Sequence, residues 1–150
     1  MRVANAPLWL MRQSVTIYNK SPDSVIENGG YVDKYALTVL DNVRYIQQEG
    51  ANIMASGGNV ADSLVLYIFP ELLSTSKRYV TPHEYNTALE ADRGNMWTVQ
   101  KGCDYIALGV QDSVNPSFEG VKNRNDYKIS TVDVHYNPDG TLNHIKVCAK

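Results

Sequence analysis

The sequence predicts a mainly β fold, a small β-barrel or sandwich-like domain with one short helix and long loops. Three observations carry that expectation. Short stretches rich in β-branched and aromatic residues recur along the chain with turn signals between them. Ten tyrosines stand against two phenylalanines, and tyrosine suits strands and half-buried faces. A full helix-start signature occurs at one place, Thr81-Pro82-His83-Glu84.

In chain order, Ser14-Val15-Thr16-Ile17-Tyr18 alternates as a strand and meets the turn signal Asn19-Lys20-Ser21-Pro22-Asp23. After Asn28-Gly29-Gly30, the stretch from Tyr35 to Ile46 reads as a second strand. Leu37, Val39, Val43 and Tyr45 share a face there, with a bulge or bend at Asp41-Asn42. Gln47 to Asn59 is a long loop, part of a connection spanning 47–62, with Ile53-Met54 as its apolar tip. Leu64 to Phe69 is apolar on both faces, the pattern of a fully buried central strand, and stops at Pro70.

The helix from Thr81 runs to about Ala91 and stops before Gly94. A second helical turn is expected at Phe118 to Lys122. Met96 to Val99 and Tyr105 to Leu108 read as one hairpin turning at Lys101-Gly102. Tyr127 to Tyr136 and Leu142 to Val147 read as another, joined by Asn137-Pro138-Asp139-Gly140. Proline fixes φ in that turn, and glycine accepts a positive φ. Ile129 is out of phase with Val132 and Val134, which places a bulge near Ser130-Thr131.

At 150 residues the chain fits a single domain, 1–150, with an arm over 1–13. Lys plus Arg is 14 against 16 for Asp plus Glu, a balance that argues against coating nucleic acid through basic charge. The longest apolar runs are too short to span a bilayer, and no signal peptide is read. Two cysteines, Cys103 and Cys148, are too few for a disulfide scaffold, so a reducing, cytoplasmic folding compartment is expected. His83, His135 and His144 show no metal-ligand spacing, although His135 and His144 sit on opposing arms of the last hairpin. A carboxylate at Asp104 beside Cys103 raises the thiol pKa rather than activating it. No phosphate-cradling glycine motif occurs. The expectation is a non-enzyme with no cofactor and no metal.

The order of several segments resembles small neck proteins of tailed bacteriophages, the head-closure or stopper family. The resemblance is carried by Pro7-Leu8-Trp9-Leu10-Met11, Val15-Thr16-Ile17-Tyr18, Val39 to Tyr45 and Ala61 to Ile68. It continues through Trp97-Thr98-Val99, Gly102, Asp104-Tyr105-Ile106 and Gly109, then Tyr127 to Asp133, Gly140, His144 and Val147. Cys103 separates Gly102 from Asp104, where the family often runs Gly-Asp directly. The resemblance implies a β-barrel assembling as a ring of six or twelve, with portal or adaptor above and tail terminator or tail tube below. Double-stranded DNA then passes the channel without specific binding, and the protein is a virion component made in the host cytoplasm. A tail terminator or adaptor of the same neck, and a monomeric module stacking ligands on Tyr and Trp, stand as alternatives.

The resemblance also implies a channel role for a loop of this kind. The candidate channel residues are Gln48, Glu49, Asn52, Ile53, Met54, Ser56 and Asn59, and the competing reading is an outer loop contacting an adjacent subunit or the adaptor. Leu8, Trp9, Leu10 and Met11 form a candidate subunit anchor, since Trp on a short apolar terminus is a frequent interface hot spot. Packing on the chain's own barrel is the other reading.

Overall fold

A computed structural model describes residues 11–27, 29–48, 63–110 and 127–150. Six strands close a barrel: β1 (Gln13–Glu27), β2 (Gly30–Gln48), β3 (Ser63–Ile68), β6 (Tyr105–Leu108), β7 (Tyr127–Tyr136) and β8 (Leu142–Ala149). Their order around the wall is β1-β2-β3-β8-β7-β6, and every neighbouring pair is antiparallel. Between β3 and β6 the chain makes an excursion. It contains a 3₁₀ turn (Pro70–Leu72), β4 (Arg78–Tyr79), α1 (Pro82–Thr87), α2 (Glu90–Arg93) and β5 (Met96–Trp97).

The turn expected at Asn19 to Asp23 does not end β1. The ladder with β2 continues to Glu27↔Gly30, and a register shift between Lys20 and Ser24 takes up the interruption. Pro22 has no N–H to place in a ladder, so it is tolerated at such an irregularity. The chain reverses instead at Gly29, whose φ of 82° suits glycine.

The bend expected at Asp41-Asn42 is present, with Asn42 at φ 58° and a register shift opposite Gln13 to Val15. Its consequence corrects the predicted core face of β2. One extra residue swaps the alternation, so Thr38 and Leu40 face inward before the bend and Val43 after it. Leu37 packs instead with Tyr18, Tyr35, Tyr105 and Ala107 in a separate cluster. The bend also docks the excursion. Asn42 Nδ2 donates to the Leu72 carbonyl at 2.8 Å, and Asp41 accepts from Ser14 Oγ at 3.1 Å and Ser74 Oγ at 2.6 Å.

On β3, Leu64, Leu66 and Ile68 are fully buried, whereas Val65 and Tyr67 are half-buried. The strand is therefore buried on one face, not on both as expected. With Val15, Ile17, Ile106, Ile145 and Val147 these residues fill the barrel, and each large apolar side chain fully removed from water contributes about 1.5–3 kcal/mol.

The predicted cap at Thr81 forms, with Glu84 N donating to Thr81 Oγ1 at 3.3 Å and Pro82 in the first turn. The single helix to Ala91 does not. Ala88 and Leu89 adopt extended backbone angles, which splits it into α1 and α2. The Arg93 guanidinium holds this break by donating to the Ala88 carbonyl at 2.6 Å. Thr81→Ala is expected to lower stability by about 1 kcal/mol in denaturant titration, and an unchanged midpoint would show that the cap bond contributes nothing.

The hairpin expected from Met96 to Leu108 is also replaced. β5 pairs in parallel with β4, and β6 joins β1 and β7 in the barrel. The β7–β8 hairpin matches its reading. The register shifts between Ile129 and Thr131, and the reversal carries Gly140 at φ 89°. The helical turn expected at Phe118 to Lys122 lies outside the described residues.

Candidate functional site

Antiparallel closure sorts the strand ends. The starts of β1, β3 and β7 and the ends of β2, β6 and β8 meet at one mouth of the barrel. The pairs Val15↔Leu108, Gln48↔Ser63, Leu64↔Ala149 and Ile106↔Tyr127 define it. Across this mouth Gln47 Nε2 donates to the Tyr127 hydroxyl at 3.0 Å. Lys128 and Lys150 exchange backbone bonds of 2.8 and 2.9 Å at its rim. The points where the chain enters β1, β3 and β7 and leaves β2, β6 and β8 thus share one end.

Two sets of sequence-predicted residues root here. Gln47 and Gln48 are ladder residues of β2, so the connection begins after Gln48 rather than at residue 47. Glu49, Asn52, Ile53, Met54, Ser56 and Asn59 lie outside the described residues, as do Leu8, Trp9 and Leu10. Met11 is 1% exposed in the single chain.

A polar node between barrel and excursion was not legible in the sequence. Asp104 is fully buried and accepts four N–H groups. Lys20 N and Gln100 Nε2 reach Oδ1 at 2.8 and 3.1 Å, and Asn19 Nδ2 and Gln100 N reach Oδ2 at 2.7 and 2.9 Å. Asn19 also bridges the excursion, donating to the Thr98 carbonyl at 2.5 Å and accepting from Thr98 N at 3.2 Å. Gln100 in turn accepts from Asn86 Nδ2 at 3.0 Å and donates to the Lys20 carbonyl at 3.2 Å. Burial raises the Asp104 pKa to about 7, and the four donors, which favour the charged form, hold it from going higher. With both oxygens occupied and no exposure, the carboxyl is a tie rather than a reagent. The signal available beforehand was its place after Gly102-Cys103, which reads only as a turn.

Burial, then the neighbouring Asp104 carboxyl, pushes the Cys103 thiol pKa up. The thiol is therefore a poor nucleophile at neutral pH. Both cysteines are free.

At the far end of the barrel, His135 and His144 are register partners with rings stacked 4.4 Å apart at 12°. Phe69 stacks on the His144 ring at 5.1 Å. Burial and then His135 lower the His144 pKa, so this imidazole stays neutral further into acid than usual. Among the described residues, no group of three or more His, Cys, Asp or Glu side chains is placed to hold a metal ion.

The chain belongs to a family described as Family of unknown function (DUF6751), whose model matches residues 10–150. No curated protein and no solved structure gives a significant match.

Proposed function

We propose that this family member is a ring-forming subunit of a tailed-bacteriophage neck, a head-closure protein. It seals the DNA-filled head below the portal or adaptor and offers a docking face to the tail. The reading starts from the ordered segments that resemble the stopper family. The observation that supports it best is the closed antiparallel barrel, with the arm and the β2–β3 connection leaving from one mouth.

Closure matters for assembly because it pairs β1, β6 and β7 with one another near the mouth, which limits strand addition there. Subunits of such a ring then meet through barrel faces, connections and the outer part of the β1–β2 hairpin. The two flanks differ in chemistry, as head-to-tail ring contacts require. The β1–β6 side meets the excursion through Asn19, Lys20 and Asp104. On the outer face of β2, β3, β8 and β7, Arg44, Tyr67, Lys146 and Asp133 stand in one register row, beside an Ile46 that is 40% exposed. In such a ring the β2–β3 connection takes the channel role that the resemblance implies, and duplex DNA passes without being gripped.

The monomeric stacking module is less well supported. Trp97 and Tyr18 are fully buried and cannot meet a ligand face-on. An adaptor of the same neck is mainly helical by family resemblance, whereas this chain is mainly strand.

Native mass spectrometry and negative-stain imaging, alone and with neighbouring neck proteins, are expected to show a closed ring or a ring docked on the portal. A monomer under both conditions overturns the reading.

A further inference from the structure

The reversal between β7 and β8 carries a directional chain of hydrogen bonds that ends on an imidazole. It starts at the Asp139 carboxylate, which is ionised at neutral pH and only accepts. Thr141 gives its one hydroxyl proton to Asp139 Oδ1 at 2.6 Å, so the same Oγ1 can only accept from Asn137. Asn137 therefore turns its NH₂ to Thr141 at 2.9 Å and its Oδ1 to Asn143, whose Nδ2 donates at 2.7 Å. Asn143 Oδ1 is left facing His144 Nδ1 at 2.6 Å. An amide oxygen cannot donate, so Nδ1 carries the proton and the lone pair of neutral His144 sits on Nε2. Each amide orientation follows from the one before it, and the tautomer from all of them.

The ring is also held on its faces. Val134 and Ile145 pack into the barrel core, so their neighbours His135 and His144 project outward as register partners. Because β8 lies between β3 and β7, Phe69 stacks on one side of His144 and His135 on the other. His144 is half-buried and His135 is exposed. Two nitrogens bound to one transition metal ion, each about 2.0–2.1 Å from it, lie within about 4.2 Å of each other. The two ring centroids stand 4.4 Å apart, close to that span. Near-parallel rings do not aim at one point, but rotation about the Cβ–Cγ bond of histidine is soft. Turning the exposed His135 ring brings its lone pair toward that of His144, which Phe69 and Asn143 keep in place.

We propose that His135 and His144 form a two-imidazole site for a divalent transition metal ion of the zinc class. A ligand nitrogen needs a lone pair, and an imidazole whose other nitrogen donates to a carbonyl-type oxygen is the arrangement that orients metal-binding histidines. Two protein donors leave the remaining positions to water, so the ion exchanges, unlike one closed in by four protein ligands. Mg²⁺ prefers oxygen donors and is excluded by this donor set. The site lies at the end of the barrel opposite the mouth and does not rest on the neck assignment.

Calorimetric titration of the full chain with zinc chloride at neutral pH, with magnesium chloride as control, tests it. One zinc ion per chain is expected, with no binding of magnesium. His135→Gln, at an exposed position that does not disturb the core, should abolish saturable zinc binding. Imidazole ¹⁵N NMR of the metal-free chain should show His144 as the Nδ1–H tautomer, and zinc should then move its Nε2 resonance. Absence of zinc binding overturns the proposal, as does zinc binding that His135→Gln leaves unchanged. An Nε2–H tautomer at His144 overturns it as well, because the lone pair then points at Asn143. One ion per two chains also overturns it, since the metal would then bridge copies and not the two strands of one hairpin.

Discussion

Asp104→Asn is expected to destabilise the protein by about 3–5 kcal/mol, a large share of the ~5–15 kcal/mol that holds a typical domain folded. Each carboxyl oxygen accepts two N–H groups. Whichever way an amide is turned, its NH₂ faces two donors at close range, and burial keeps water from relieving the clash. The same side chain makes stability depend on pH. Its folded pKa of about 7 lies above the usual carboxyl value, so folding takes up a proton between the two. The contribution of this group is therefore fully present below the unfolded pKa and is lost as pH rises through about 7. Thermal melts of the wild-type chain should show Tm falling from pH 5 to pH 8, and the Asn variant should lack that decline. Parallel profiles for the two proteins would show that Asp104 does not titrate in this window.

Trp97→Ala is expected to cost about 4 kcal/mol and to loosen the excursion before the barrel. Trp97 is 1% exposed, belongs to the barrel core and meets Tyr79 edge-on at 5.1 Å. Its neighbour Met96 belongs to the small core of Val80 and Tyr85 on the excursion. Alternation along β5 thus joins two cores through adjacent residues. Hydrogen exchange should speed up first at the amides of Arg78 and Val80, which bond to the Asn95 and Trp97 carbonyls at 3.0 Å. A loss below about 1 kcal/mol, or uniform exchange over barrel and excursion, would show that the two cores are not coupled through Trp97.

Local chemistry in the sequence determined the strand-rich class, the β7–β8 turn with its glycine, the bulge beside Ile129, the bend at Asp41-Asn42 and the cap at Thr81. Each depends on residues within a few positions of one another, where φ preference, a missing N–H or a capping oxygen acts directly. Tertiary structure decided which side of β2 is inside, because one extra residue at the bend reverses the alternation that a pattern reading extends. It carried β1 through Pro22, since a long partner strand outweighs one lost ladder bond. It split the helix at Ala88, where a buried guanidinium claims a carbonyl, and it withdrew β5 from the expected hairpin by pairing it with β4. Asp104 shows the same division most sharply. Its four donors come from Asn19, Lys20 and Gln100, two of them some 84 and 85 positions away in the chain, so no spacing in the sequence announces it. The mouth where β1, β3 and β7 begin and β2, β6 and β8 end is likewise a product of barrel closure, which brings strand ends together by hydrogen-bond order and not by sequence proximity.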